Sequence, residues 1–294
     1  MTMLRSMLFI PADSEKKLGK VDGCGADAVI LDLEDSVAAE NKAAARELTA
    51  AFLAARPVAQ RKVQLWVRIN PLDSGLALTD LVAIAGGAPC GIMQPKINTP
   101  DDVRMLSHYL DVLEAQHGIA PGSIRIMPIV TETAIAPFHL GALAAAGLER
   151  MVGITWGAED LSAALGASTN LDATGELAFT YKMARSLTLL AAHASGVQAI
   201  DALHADFRDD AGLLTSSRAA RAEGFTGRLA IHPAQVAGIN EGFMPSDAEV
   251  AHAQRVIAAF AANPGAGTVG LDGKMIDIPH KKAAEKVLAS ALRG

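Results

Sequence analysis

Charged side chains recur in this chain at one kind of place, directly after short runs of Val, Ile, Leu and Met. The run AVILDL from Ala28 leads into Asp32, Glu34 and Asp35, VQLWVRI from Val63 carries Arg68 and then Asn70, and GIMQP from Gly91 precedes Lys96. IRIMPIV from Ile124 is followed by Glu132, MVGITW from Met151 by Glu159 and Asp160, and LAI from Leu229 by His232. Carboxylates bind hard divalent cations, and Arg and Lys bind the anionic groups that such a cation leaves exposed. Brought to one rim, these residues would suit an anionic small molecule held through a divalent ion.

Simpler roles compete with that chemistry. An aspartate after a strand commonly caps the next helix, and Asp35 and Asp160 can each be read so. Glu132 is a poorer cap, because glutamate is not a preferred N-cap residue and Thr131 and Thr133 flank it. Arg68 resists a bland reading, since a guanidinium buried beside a sheet without a partner costs several kcal/mol, on the order of the penalty for any unpaired buried charge. Lys96 is either an anion contact or an ion-pair partner of the strand-end acids. His204 and His232 have no partner visible in sequence and read as structural.

The elements that must position these groups alternate along the chain. Two further apolar runs, MLFI from Met7 and VQAIDAL from Val197, bring the strands to eight. Longer amphipathic stretches separate them, predicting helices over 41–55, 100–118, 137–146, 175–195, 209–223 and 233–243. Thr99-Pro100-Asp101-Asp102 reads as a helix start with proline in the first turn, and Ser246-Asp247-Ala248-Glu249 as a capping box. The strands recur without a sequence repeat, which disfavours a solenoid. Both a closed (β/α)8 TIM barrel and an open doubly wound sheet fit the alternation. Polar groups at the ends of many different strands favour the barrel, whose sites are built that way.

Length and composition agree. The chain has 294 residues, 50% of them hydrophobic and 20% charged. One barrel takes about 250 residues, leaving a short appendage. A net charge of −6 argues against a nucleic-acid surface. Cys24 and Cys90 are far apart and form no CxxC, so neither a zinc site nor a disulfide framework is expected, in keeping with a cytoplasmic protein. No apolar run approaches the ~20 residues of a membrane span, and the opening MTMLRSMLFIPAD lacks the features of a secretory signal.

Taken in order, RSMLFIPAD at Arg5, ADAVILDLEDSV at Ala26, VRIN at Val67, QPKI at Gln94, ETA at Glu132, WGAEDL at Trp156, IHPAQ at Ile231 and GKMID at Gly273 resemble the citrate lyase β-subunit-like branch of the HpcH/HpaI aldolase superfamily. That group includes malyl-CoA, citramalyl-CoA and citryl thioester lyases. The resemblance implies a barrel over residues 1–262 with a C-terminal lid over 263–294. It implies an Mg2+-dependent carbon–carbon lyase, with Mn2+ a possible substitute, that cleaves a 3-hydroxy-3-carboxyalkyl-CoA thioester to acetyl-CoA and a 2-oxo acid. Carried over by position, Glu132 and Asp160 would be the metal ligands, with Asp32, Glu34 and Asp35 behind them. Arg68 would contact substrate, together with Gly157, Ala158 and Glu159.

The resemblance also implies that Asp277 does the acid–base work at the acetyl carbon from a neighbouring subunit, and hence a homotrimer or homohexamer. Asp277 can equally cap the helix expected over 279–292. Pro264-Gly265-Ala266-Gly267 is flexible and Leu271-Asp272-Gly273-Lys274 is a hairpin signal, which suits a lid. Lys20 is aligned with a position that can meet the CoA phosphates. The segment after the first strand reads PAD where relatives commonly have PG, and Ser14 stands where some carry arginine. That departure touches nucleotide contacts more than catalysis. Two rival functions are a citrate lyase β subunit acting on a citryl group carried by an acyl carrier protein, and a non-catalytic binder of oxo acids or CoA esters.

Overall fold

The computed structural model describes residues 3–292. By its internal contacts the chain forms two compact units, residues 1–240 and 241–294.

In the first unit all eight expected strands form: β1 Ser6–Pro11, β2 Ala28–Asp32, β3 Gln64–Arg68, β4 Gly91–Gln94, β5 Arg125–Pro128, β6 Gly153–Ile154, β7 Gln198–Asp201 and β8 Gly227–Ala230. They are parallel and follow the order β5-β4-β3-β2-β1-β8-β7-β6. Parallel bridges from Ile126 to Met151 and from Ile129 to Thr155 join the two ends of that order and close the barrel. A closed barrel leaves no free strand edge, and it turns the ends of all eight strands toward one rim. The open-sheet alternative is thereby excluded.

Its interior is packed by Leu4, Met7, Ala28, Ile30, Trp66, Met93, Met127, Ile129, Ile200 and Leu229. Inward-facing side chains from successive strands fill the space, as small barrels require. Trp66 is fully buried, and it fits because its neighbour on β4 is Gly91, where an added Cβ would lie 2.3 Å from the indole ring.

Helices follow the strands: α1 Glu15–Leu18, α2 Lys42–Ala54, α3 Ala77–Ile84, α4 Pro100–His117, α5 Ala158–Ala164, α6 Phe179–Ala194, α7 Asp210–Glu223 and α8 Gln235–Gly242. The helix start expected at Thr99 forms, and the structure makes it a reciprocal cap, with Asp102 accepting from the Asn98 and Thr99 amides at 2.7 and 3.0 Å. The segment expected as a helix over 137–146 instead winds as a 3-10 helix, Ala136–Ala145, opened by a proline. Three short helices, α1, α3 and α5, carried too little periodicity to be seen in sequence.

The second unit contains α9 Asp247–Ala261, the hairpin β9 Thr268–Leu271 and β10 Lys274–Asp277, and α10 Ile278–Ala291. Ala253, Val256 and Phe260 of α9 share a core with Val269, Ile276 and Ala284. Because α9 buries its apolar face against the tail, the second unit begins earlier than the 263 expected from sequence. The hairpin turns at Asp272 and Gly273, both with positive φ, 53° and 74°, the geometry that an Asp-Gly pair signals. Cys24 and Cys90 are free thiols. Among the described residues no helix is long and apolar enough to cross a membrane.

Candidate active site at the strand ends

Arg68 closes β3 opposite Asp32, its register partner on β2. Two of its N–H groups donate to the two Asp32 oxygens at 2.7 and 2.6 Å, a bidentate fork, and Nη1 pairs with Glu34 at 2.7 Å. The ring of Phe9 lies beneath, 4.7 Å from the guanidinium carbon. The buried guanidinium thus has the partners it requires. Burial works to raise the Asp32 pKa, but Arg68 outweighs it and holds that carboxyl below its usual range. Arg68 itself is held above its ordinary value by Asp32 and Glu34 despite its burial.

Lys96 sits at the centre of the cluster. It is one of three non-glycine residues with positive φ among the described residues, at 51°. Its backbone N–H donates to Glu132 at 2.7 Å. Its ammonium pairs closely with Glu34, with Asp35 at 2.9 Å and with Asp160 at 3.3 Å. Burial works against its charge, yet Glu34 and Asp35 hold it well above the ordinary lysine value. Of the two roles left open by the sequence, ion pairing with the strand-end acids is therefore realised.

Glu132 is nearly buried after β5. Burial, reinforced by the charges of Asp160 and Glu34, pushes its pKa up to about 8. Glu34 is raised too, first by burial, with Arg68 and Lys96 opposing. Asp160 is the third residue of α5, whose N-cap is Gly157, so Asp160 is not itself the cap. Asp35 caps no helix either, as the caps before α2 are Ala38 and Asn41. Gly157 lies against Glu132, where an added Cβ would stand 3.3 Å from Oε1. The Gly157 amide donates to Thr131 at 3.1 Å, while Glu159 is exposed and accepts from Asn170 at 2.9 Å.

Carboxylates outnumber cations here: Asp32, Glu34, Asp35, Glu132 and Asp160 face Arg68 and Lys96. A buried carboxyl raised by its own neighbours marks a place where added positive charge would be stabilising. Among the described residues no group of three or more His, Cys, Asp or Glu is arranged to hold a metal ion. Glu132 and Asp160, whose charges act on one another, are residues that could hold one. That suits Mg2+, which usually keeps several waters and takes only one or two carboxylates.

Lys20 is exposed between α1 and the 3-10 turn Val21–Gly23. Asp277 caps α10, accepting from the His280 amide at 3.4 Å, and its side chain also pairs closely with the His280 ring. That hydrogen bond holds Asp277 below the ordinary aspartate value. His204 lies 3.3 Å from Asp209, and His232 stacks on Phe207 at 4.7 Å, so both histidines have local partners.

Sequence reasoning missed a brace behind the cluster. The Lys42 ammonium donates to the Leu33 and Glu34 carbonyls at 2.7 and 2.8 Å and to Asn70 at 2.8 Å. Asn70 in turn donates to Asp80, which is fully buried and accepts from Arg46 at 2.6 Å. Lys42 and Arg46 are four apart on α2 and share a helix face. That spacing was the available signal, but a lysine opening a helix ordinarily reads as solvated.

A family model described as HpcH/HpaI aldolase/citrate lyase matches residues 5–233, most of the chain. The chain belongs to this family. It is 35% identical to the mitochondrial citramalyl-CoA lyase of Mus musculus over 299 residues, covering 98% of this chain and 86% of that protein. It is 34% identical to the citrate lyase subunit beta of Escherichia coli strain K12 over 289 residues, covering 98% and 93%. Among solved structures, CitE from Mycobacterium tuberculosis in complex with magnesium, acetoacetate and coenzyme A superposes with a TM-score of 0.82 at 35% identity, covering 98% of both chains. Membership in this family places the eight-stranded barrel and its crowded rim among enzymes rather than passive binders.

Proposed function

We propose that this protein is an Mg2+-dependent carbon–carbon lyase that cleaves a citramalyl-CoA- or malyl-CoA-type thioester to acetyl-CoA and a 2-oxo acid. The observation that carries the reading is the excess of carboxylate on the rim, with Glu132 raised to about 8 and Asp160 beside it. Family membership supports the same chemistry, and similar proteins are named for citramalyl-CoA and citrate cleavage.

Glu132 and Asp160 would hold the metal, and Asp32, Glu34 and Asp35 would orient the side chains around it. When bound, Mg2+ supplies Lewis-acid polarisation and a template for a 2-hydroxy carboxylate. Arg68 has five N–H groups, of which Asp32 takes two and Glu34 engages a third, so the remaining ones can meet the hydroxyl oxygen of the substrate as it becomes a carbonyl. Backbone amides from Ala158 and Glu159 would receive the carboxylate of the oxo acid. The hydroxyl proton would be lost to solvent as the carbonyl forms, the electron pair of the broken carbon–carbon bond would pass to the thioester α-carbon, and Asp277 of a neighbouring subunit, having taken a proton from solvent, would deliver it there. In the condensing direction the same aspartate removes it. An oligomer, trimeric or hexameric by resemblance, would bring that residue to the site, and Lys20 would meet the CoA phosphates.

The second reading is a citrate lyase β subunit working on a citryl group carried by an acyl carrier protein, favoured by the nearly equal identity to the Escherichia coli subunit. One experiment separates them. Citramalyl-CoA, malyl-CoA, citryl-CoA and citryl acyl carrier protein are each incubated with Mg2+, and the released thioester and oxo acid are measured. Rapid cleavage of a CoA ester, with Asp277→Asn slower by about 10²–10⁴-fold as for a lost acid–base group, is the expected result. Cleavage of the carrier-protein substrate alone would favour the subunit reading, and no cleavage of any would overturn both.

A further inference from the structure

Lys96 touches both carboxylates that the preceding reading assigns to the metal, and it does so in two different ways. Its main chain, held at a φ of 51°, gives an N–H to Glu132. Its side chain gives an ammonium to Glu34, Asp35 and Asp160. A left-handed backbone is unfavourable for a residue with a long side chain, and it persists here because both ends of the residue are tied to acids. The three side-chain contacts are unequal. Glu34 and Asp35 are held at full ion-pair distance, whereas Asp160 stands at 3.3 Å with its side chain 30% exposed.

We infer that the Lys96 ammonium competes with the divalent cation for Asp160. This rests on the assignment of Glu132 and Asp160 as metal ligands. An ammonium among an excess of carboxylates lowers their mutual repulsion. An arriving cation must draw Asp160, the most loosely held of the three, away from Lys96 and then bear the repulsion of a neighbouring positive charge. Lys96 keeps Glu34 and Asp35, so Glu34 stays paired on its other side with Arg68. The residue therefore weakens metal binding while it preserves the order of the site.

The inference has an unusual sign. If Lys96 were only a strut, removing its side chain would disorder Glu34 and Asp160 and loosen the metal. Competition predicts the reverse. The full-length protein is titrated with Mn2+, free metal being read by electron paramagnetic resonance, and far-UV circular dichroism confirms the fold of each variant. Lys96→Met is expected to bind Mn2+ about tenfold more tightly than wild type, the scale of a unit charge removed near an ion in a partly solvated site. Lys96→Arg, which keeps the charge, should stay within about twofold of wild type on the same grounds. Glu132→Gln should bind poorly.

Equal or weaker Mn2+ binding by folded Lys96→Met overturns the inference and leaves the metal reading standing. A wild-type protein that binds no Mn2+ overturns both. Should Lys96→Met fail to fold, Lys96→Gln provides the same neutralisation with a polar side chain. The wild type itself offers a check that needs no neutral variant: the side-chain nitrogen resonance of Lys96, assigned with Lys96→Arg, should move as Mg2+ saturates. A resonance that stays fixed through saturation also overturns it.

Discussion

Two acidic clusters lie on the same barrel and are built from the same residue types, yet they reach opposite charge balances. At the end of β7, buried Asp201 accepts from two of the three Arg185 nitrogens at 3.1 and 3.0 Å, from Arg228 at 2.9 Å and from the Trp156 indole at 2.8 Å. Burial pushes its pKa up, but the two guanidiniums prevail and hold it below the ordinary value. At the ends of β2, β4 and β5 the acids outnumber their cations, and Glu132 is driven up to about 8. The Asp201 cluster is electrostatically closed and ties β6, β7 and β8 together through Trp156. The Glu132 cluster is left with a deficit of positive charge, which a bound cation can fill. Burial alone therefore does not mark a functional acid; an unmet charge does.

Substitution should separate the two regions most sharply. Glu132→Gln and Asp160→Asn are expected to reduce metal-dependent turnover by about 10³-fold or more, because several kcal/mol of barrier lowering is lost with the metal. Their metal-free stability in urea should be unchanged or higher. Asp201→Ala should do the reverse, costing about 3–5 kcal/mol of unfolding free energy because the buried Arg228 guanidinium loses its carboxylate and Arg185 keeps only Glu223. Turnover per folded molecule should fall far less than in the Glu132 variant. A stable Asp201→Ala protein, or an unfolded Glu132→Gln protein, would erase the contrast.

The pH dependence of stability is a smaller effect, with opposite signs in the two regions. The folded-state pKa of Glu132, about 8, lies above its ordinary 4.5, so the folded protein holds that proton longer than the unfolded chain. In chelator, its contribution is fully present below about 4.5 and is lost as pH rises through about 8. Asp201 is depressed below 3.8, so its contribution is present above that value and fades as pH falls through the folded-state pKa. Urea midpoints from strongly acidic pH up to about 9, roughly one unit above the Glu132 value, would resolve the two limbs. Glu132→Gln should flatten the upper limb only. A wild-type upper limb that is already flat would mean that Glu132 is ionised throughout.

Gly157→Ala tests the close approach behind Glu132. The new Cβ would lie 3.3 Å from the Glu132 carboxylate, so the side chain must give by a few tenths of an ångström. A roughly tenfold loss of metal-dependent turnover with less than about 1 kcal/mol change in stability is expected, the pattern of a displaced ligand in a site sensitive to small misplacement. Gly141→Ala, where an added Cβ meets open space, is the control and should be neutral. Equal behaviour of the two variants would show that the contact does not position Glu132.

Local chemistry determined much of this protein in advance. Eight apolar runs with β-rich composition became eight strands, the Thr99 cap and the Ser246 box became helix starts, and Asp272-Gly273 became a hairpin turn. Each depends on neighbours a few residues away, where propensity and capping act. The need of Arg68 for a carboxylate partner could also be read from one strand, because its burial followed from its neighbours. Only the fold decided that the partners are Asp32 and Glu34, that Lys96 adopts a left-handed turn to reach acids from two directions, and that Asp160 marks the loosest of them. Only the fold showed that α9 shares its core with the tail. Ionisation and pairing follow from distances among groups on different strands, and Coulomb energies have no value until closure of the barrel sets those distances.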